Sequence, residues 1–319
     1  MIAKSKIFPQ HDRTKTANQL REGIEYYNPD FRQLLPEEPE LIHHWRGTEW
    51  AEGPVFLSQR NAVIWSDIPN NRMLEFNLTS RETSVFKEPS NYTNGNTVDL
   101  EGRLISAQHL PHCILRTEHD GTLTVLVDRY NGKRLNSPND VVVKSDGTIW
   151  FTDPPYGILS DREGRQRKSE ISGCYVYRFD EVTGTLEIVV DSMDRPNGLA
   201  FSPGEDILYV SDTGKSENLM AFNVSSDGRY VENGREFAKV RPGTSDGFRC
   251  DVEGNLWTSA ADGIQCYTAE GELIGKILIP EQRVANCCFG GPDAKTLYIA
   301  GDTSLYSIVL DIAGAQSGT

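Results

Sequence analysis

No stretch of this 319-residue chain approaches the roughly 20 consecutive apolar residues that a membrane-crossing helix needs. The first residues, MIAKSKIFPQHDRTK, are basic but lack the apolar core of a secretory signal, so the reading places the protein in the cytoplasm. Positive charge is in deficit: 32 Lys and Arg stand against 46 Asp and Glu, a net charge of −14. Nucleic acid and anionic membranes both require a basic face, so neither is expected as a partner. An acidic surface of this kind serves solubility. Cysteine is sparse and unpatterned. Cys113, Cys174, Cys250, Cys266, Cys287 and Cys288 form no C-x-x-C pair and show no zinc-finger spacing. They are expected to be reduced and buried. Only the adjacent Cys287-Cys288 pair invites a redox reading, and strand alternation would put those two thiols on opposite faces.

What the chain does have is repetition. Six times a polar residue opens a short apolar run, a turn follows, and a β-rich run ends in small or acidic residues. The openers are Glu52, Asn94, Asn139, Asn197, Asp246 and Asn286. The endings are Trp65-Ser66-Asp67, Ile105-Ser106-Ala107, Phe151-Thr152-Asp153, Val210-Ser211-Asp212, Thr258-Ser259-Ala260 and Ile299-Ala300-Gly301. The endings recur at intervals of roughly 40–60 residues, and several short strands per repeat at such a period signify a β-propeller. The expected fold is therefore all-β: a six-bladed propeller with four-stranded blades around a central channel. It should occupy residues 40–311, with an N-terminal extension over 1–39 and a tail over 312–319.

Alternation and Asn/Gly/Pro punctuation cut the first blade into strands at 53–58, 62–67, 73–78 and 84–87. The first turns of the six repeats are Gln59-Arg60-Asn61, Leu100-Glu101-Gly102, Ser145-Asp146-Gly147, Pro203-Gly204-Glu205, Val252-Glu253-Gly254 and Pro292-Asp293-Ala294. A ring must close, because an open edge invites aggregation, and residues 40–45 are expected to pair with 305–310. The polar N-terminal arm suggests a helical turn over 14–26. The charged segment 158–170 reads as a flap over the channel mouth or as a solvated loop. Inner strands run away from one face of the disc and second strands run back to it. The openers should therefore ring the channel on that face, with Asp67, His109, Asp153, Asp212, Asp262 and Asp302 one layer further out. His43, His44, His112 and His119 are expected on the surface.

Glu52, Asn139, Asn197 and Asp246 arrive from four blades with two carboxylates and two amide carbonyls. This all-oxygen set suits one divalent metal ion: Ca²⁺ first, with Mg²⁺, Mn²⁺ or Zn²⁺ as alternatives. The plainer explanation is that Asn and Asp before Gly form turns and line a wet channel. Glu52 argues against it, since Glu is a poor turn former.

The motifs around these residues are Trp50-Ala51-Glu52-Gly53-Pro54-Val55, Asn136-Ser137-Pro138-Asn139-Asp140-Val141, Phe151-Thr152-Asp153-Pro154-Pro155-Tyr156-Gly157, Arg195-Pro196-Asn197-Gly198-Leu199 and Ser245-Asp246-Gly247. Together they resemble the gluconolactonase / senescence-marker-protein (regucalcin) / luciferin-regenerating-enzyme family, over roughly residues 40–311. Thr117-Glu118-His119-Asp120-Gly121 and Tyr130-Asn131-Gly132-Lys133-Arg134 resemble its bacterial gluconolactonase branch. The resemblance implies a catalytic divalent metal at the channel mouth. Glu52, Asn197 and Asp246 would be its ligands, and Asn139 a fourth ligand or a substrate-facing neighbour. It also implies hydrolysis of a small, sugar-type lactone, with Asp246 or His109 as the general base. Ser137 stands where regucalcin-like members carry an arginine, and Leu110-Pro111-His112-Cys113 departs from the branch pattern, so the pocket wall should differ. An organophosphate hydrolase of the same propeller type and a non-catalytic binding scaffold are the competing functions.

Overall fold

The computed structural model describes residues 23–315. Six antiparallel sheets form the blades, and a small hairpin, Arg129–Tyr130 with Lys133–Arg134, stands apart. Each inner strand packs against the inner strand of the next blade, and the sixth packs against the first. This is the expected six-bladed β-propeller. The first blade has strands Ala51–Leu57, Ala62–Asp67, Arg72–Asn77 and Thr83–Lys87, within two residues of the pattern-based limits.

The turns show why the sequence folds this way. The third residue of all six first turns lies in the left-handed region: Asn61, Gly102, Gly147, Glu205, Gly254 and Ala294. Such a residue reverses the chain tightly between two twisted strands, and Gly and Asn adopt it at least cost. Between blades, apolar side chains of alternate strand positions interlock, and Trp65, Trp150 and Trp257 are wholly buried. Buried aromatics of this size supply much of the apolar area removed from water.

Ring closure is as expected. Leu41–Arg46 forms the outer strand of the sixth blade and pairs antiparallel with Ser304–Val309, from Leu41 opposite Ile308 to Arg46 opposite Ser304. The seam between the chain's two ends therefore lies inside one sheet.

The N-terminal arm differs from the expectation. Of the helical turn predicted over 14–26, residues up to 22 lie outside the described residues. The remainder is extended: Ile24–Tyr26 adds a fifth strand to the outer edge of blade five, beside Leu273–Leu278. The helix comes later, at Pro29–Gln33, where Asn28 accepts the Asp30 N–H at 3.0 Å and Pro29 starts the first turn. Phe31 projects from it, fully buried, over Gly275 and against Trp257. A Cβ at Gly275 would stand 2.0 Å from the Phe31 ring. At the other terminus Val252 N–H bonds the Ala313 carbonyl and Ala315 N–H bonds the Cys250 carbonyl.

All six cysteines are free, five of them buried and Cys174 half-buried. Cys287 and Cys288 belong to different core clusters, as strand alternation requires. The histidine expectation needs correction. His119 is exposed, but His43 and His44 are half-buried and His112 is buried. His112 Nδ1 donates to the Asn136 carbonyl at 2.7 Å, and Nε2 accepts from Arg167 Nε at 3.2 Å. No helix among the described residues is long and apolar enough to cross a membrane.

Candidate functional site

The site is assembled in layers. The outermost layer is the row of carboxylates at second-strand ends. Asp67 accepts the Glu49 N–H at 2.9 Å; Asp153 accepts the Asn136 and Ser137 N–H groups, each at 2.8 Å; Asp212 accepts those of Asp194 and Arg195 at 3.0 and 2.9 Å. Each carboxylate thus ties down the segment that leads into its own blade's opener.

The next layer is the hydroxyl inside each ending. Ser66 Oγ donates to the Asn94 carbonyl at 2.7 Å, Thr152 Oγ1 to the Asn197 carbonyl at 2.6 Å, and Ser211 Oγ to the Asp246 carbonyl at 2.8 Å. Every one of these bonds reaches the opener of the following blade. With the opener carbonyls held outward, the strand starts are fixed around the axis. Glycine after the opener allows the crowding: a Cβ on Gly198 would lie 2.1 Å from the Asp246 carbonyl oxygen.

Glu52, Asn139, Asn197 and Asp246 all open inner strands on this ring, and hydrogen bonds join neighbouring strand starts. The Gly95 N–H donates to the Asn139 carbonyl at 2.7 Å and the Gly198 N–H to that of Asp246 at 3.1 Å. Glu52, buried at 3% exposure, takes the Gly53 N–H at 2.7 Å and Asn286 Nδ2 at 3.1 Å. Both donors go to Oε2, so Oε1 is the oxygen left for another partner. Asn197 turns its Nδ2 to Thr213 Oγ1 at 3.4 Å and its amide also donates to the Asp246 carboxylate, which leaves its Oδ1 as a free acceptor. Asn286 packs over Gly247, where a Cβ would meet its Cγ at 2.0 Å.

Electrostatically the ring is unbalanced. Burial first, and then the Asp246 charge, push the Glu52 carboxyl well above the usual range. Burial, with Asp140 and Glu163 nearby, pushes Asp246 up to about 7, against a partial offset from Arg283. Two raised acids on one ring, with the Asn197 amide oxygen uncommitted beside them, fit a divalent cation, which would supply the opposite charge that burial leaves missing. Among the described residues no three His, Cys, Asp or Glu side chains gather as a metal group. A set with two carboxylates must therefore complete its shell with amides, substrate or water.

His109, expected one layer out, reaches inward to the opener ring. It is fully buried, its Nε2 lies 3.4 Å from Asn94 Nδ2, and Nδ1 is 2.6 Å from the Glu163 carbonyl. Burial lowers its pKa to about 4. The segment 158–170, expected as a flap or a solvated loop, folds back onto the propeller: Glu163 meets His109, Arg162 pairs with Glu49 at 3.2 Å, and Arg165 N–H bonds the Gly157 carbonyl. The rim carries Arg283 stacked on Trp50 at 4.6 Å and Arg195 on Tyr156 at 5.7 Å.

Sequence reasoning missed three participants. Asn286 was visible as an opener but carried no charge to draw notice. Asp140 follows Asn139 directly. Arg249 is a lone basic residue in an apolar inner strand, which is itself a signal.

Comparison with known proteins adds the remaining facts. Residues 50–303 match the family model described as "SMP-30/Gluconolactonase/LRE-like region". A gluconolactonase of Zymomonas mobilis is 32% identical over 283 residues, covering 82% of this chain and 78% of the relative. Pentonolactonase of Haloferax volcanii is 25% identical over 266 residues, covering 78% of this chain and 80% of the relative. The solved structure of a gluconolactonase from Xanthomonas campestris superimposes with a TM-score of 0.88 at 34% identity, covering 96% of this chain and all of that one.

Proposed function

From its membership of the SMP-30/gluconolactonase/LRE-like family, to which this chain belongs, we propose that it is a metal-dependent lactonase acting on a sugar-type lactone. The observation that carries the reading is the pair of carboxylates on one ring, Glu52 buried and Asp246 half-buried, each held by an asparagine amide. Glu52, Asn197 and Asp246 would hold a divalent ion, Ca²⁺ by preference for hard oxygen donors, with Asn139 as a fourth ligand or a contact to substrate. The bound ion supplies Lewis-acid polarisation of the lactone carbonyl, worth roughly 3–5 kcal/mol.

The chain's own residues do the rest. Asp246 accepts a proton from the attacking water while the water oxygen bonds to the carbonyl carbon. The ring C–O bond then breaks, and the departing alkoxide recovers that proton. General-base help of this kind contributes on the order of 10²–10⁴ in rate. His109 offers its Nε2 to the Asn94 amide, so its part is to orient Asn94 on the ring. The rim of Trp50, Tyr156, Arg195, Arg283 and Glu163 offers several hydrogen-bonding groups. A polyhydroxy lactone uses these better than an apolar organophosphate does.

The test is a panel of aldonolactones of five and six carbons, with an organophosphate as control, assayed with chelator and after adding back Ca²⁺, Mg²⁺, Mn²⁺ or Zn²⁺. Hydrolysis of at least one lactone, lost on chelation and restored by metal, is the expected result. Activity indifferent to chelator, or confined to the organophosphate, would overturn the reading.

A further inference from the structure

One charged pair inside the channel takes no part in the scheme above. Asp140 directly follows the opener Asn139, and Arg249 stands three residues after the opener Asp246. The Arg249 Nη1 lies 3.5 Å from Asp140 Oδ2, with side-chain exposures of 16% and 2%. Nη1 also donates to the Phe248 carbonyl at 2.7 Å. Asp140 is tied in from several blades. Its Oδ1 accepts the Val141 N–H at 2.9 Å, and Oδ2 accepts the Leu199 N–H at 3.4 Å. A Cβ on Gly95 would come within 2.6 Å of Oδ1. Arg249 is the only Lys or Arg in the six inner strands. Arg249 itself lines a cavity of about 80 Å³ in the channel, whose walls also include Val55, Asn96, Val142, Phe201 and Phe289.

A buried ion pair in a mostly apolar channel is weak evidence for stability, because hydrophobic residues of the same volume often serve as well. Its position suggests another use. The Asp140 charge is felt by both Glu52 and Asp246. Uncompensated, it would be a third negative charge on a site built around two. A guanidinium stays protonated at any working pH, so it is a permanent counter-charge.

We propose that Arg249 is the channel's resident cation: by neutralising Asp140 it fixes the charge that an ion on the opener ring meets, and so sets the affinity of the site for that ion. Arg249 is a positioning residue in this account and touches neither ion nor substrate. The inference rests on the metal reading of Glu52, Asn197 and Asp246.

The test uses the full chain stripped of metal, with Ca²⁺ titrated by calorimetry and Tb³⁺ by luminescence. Asp140→Asn keeps the shape but leaves Arg249 uncompensated. It should weaken Ca²⁺ binding at least tenfold and Tb³⁺ binding by more, since Coulomb repulsion scales with ion charge. Asp140→Asn combined with Arg249→Met should return both affinities to within about threefold of wild type. A purely structural role predicts the reverse order, with the double variant no better than the single. That result, or wild-type affinity in Asp140→Asn, would overturn the proposal. If Asp140→Asn does not fold, Arg249→Met alone decides: it should bind Ca²⁺ at least as tightly as wild type, and tenfold weaker binding would overturn the proposal. A wild-type protein that binds no divalent ion defeats the metal reading and this inference with it. Unchanged variants of a metal-binding wild type defeat the inference alone.

Discussion

His109 Nδ1 lies 2.6 Å from the Glu163 carbonyl oxygen, and this one contact decides the state of the ring. A carbonyl only accepts, so Nδ1 carries the proton and Nε2 presents its lone pair to Asn94 Nδ2. The segment over the mouth and the opener ring are thereby joined through one imidazole. Because that lone pair is engaged, His109→Asn, which keeps a donor for Glu163, should lower kcat by less than about tenfold and leave the acid limb of kcat/KM in place. A loss of roughly 10²-fold or more, with metal content and fold unchanged, would transfer the role of base from Asp246 to His109.

Glu52→Gln and Asp246→Asn each remove one of the two carboxylates on the ring. Each should abolish metal-dependent hydrolysis while leaving the far-ultraviolet spectrum and melting transition of a folded propeller. Relieved of repulsion and burial of charge, the metal-free variants should melt no lower than metal-free wild type at neutral pH. Near-normal turnover with bound metal in either variant refutes the assignment.

The two amides separate by readout. Asn197→Ala removes an oxygen whose amide partner is already committed to Asp246 and Thr213, and it should weaken metal affinity. Asn139→Ala should lower turnover at least as much as affinity. Full kcat at saturating metal would make Asn139 a ligand and nothing more.

The seam of the ring carries a pH dependence. His44 bonds Ser307 Oγ at 2.7 Å, and burial, assisted by Arg81 and His43, lowers its pKa to about 3. A depressed histidine is neutral in the fold while the unfolded chain takes up a proton below about 6.5. Stability is therefore full above that pH and declines as pH falls toward 3, by up to a few kcal/mol at about 1.4 kcal/mol per unit. His44→Gln should flatten this part of the acid-denaturation curve. An unchanged slope between pH 6.5 and 4 would contradict the account.

Phe31→Ala tests the N-terminal strap. Removing a fully buried ring from over Gly275 and Trp257 should cost about 3–5 kcal/mol in denaturant unfolding. Lactone hydrolysis at room temperature should survive, because the strap lies on the outer edge of blade five.

Much of the fold was legible because repetition multiplies a weak signal. One turn triplet says little, but six with a left-handed third residue define six blades. The opener ring was legible for the same reason. The N-terminal strand at 24–26 was not, since three residues give no periodicity and their partner, Leu273–Leu278, lies almost the whole chain away. The burial of His112 was not legible, nor the depth of His109, because counting along a strand gives a layer and not a depth. The mouth segment and Arg167 cover them from elsewhere in the chain. The Asp140–Arg249 pair was unread because two inner strands meet on the axis only once the ring exists.

The bond from Asn286 to Glu52 joins residues 234 positions apart, across the blades that the seam brings together. The ring of openers is thus complete only in a finished chain. A nascent or truncated chain lacking the last blade keeps Asn139, Asn197 and Asp246 but holds Glu52 without its amide partner. An ion that binds only the closed ring also favours closure by mass action. For such an ion, occupancy and an intact circle would be one event, each measuring the other.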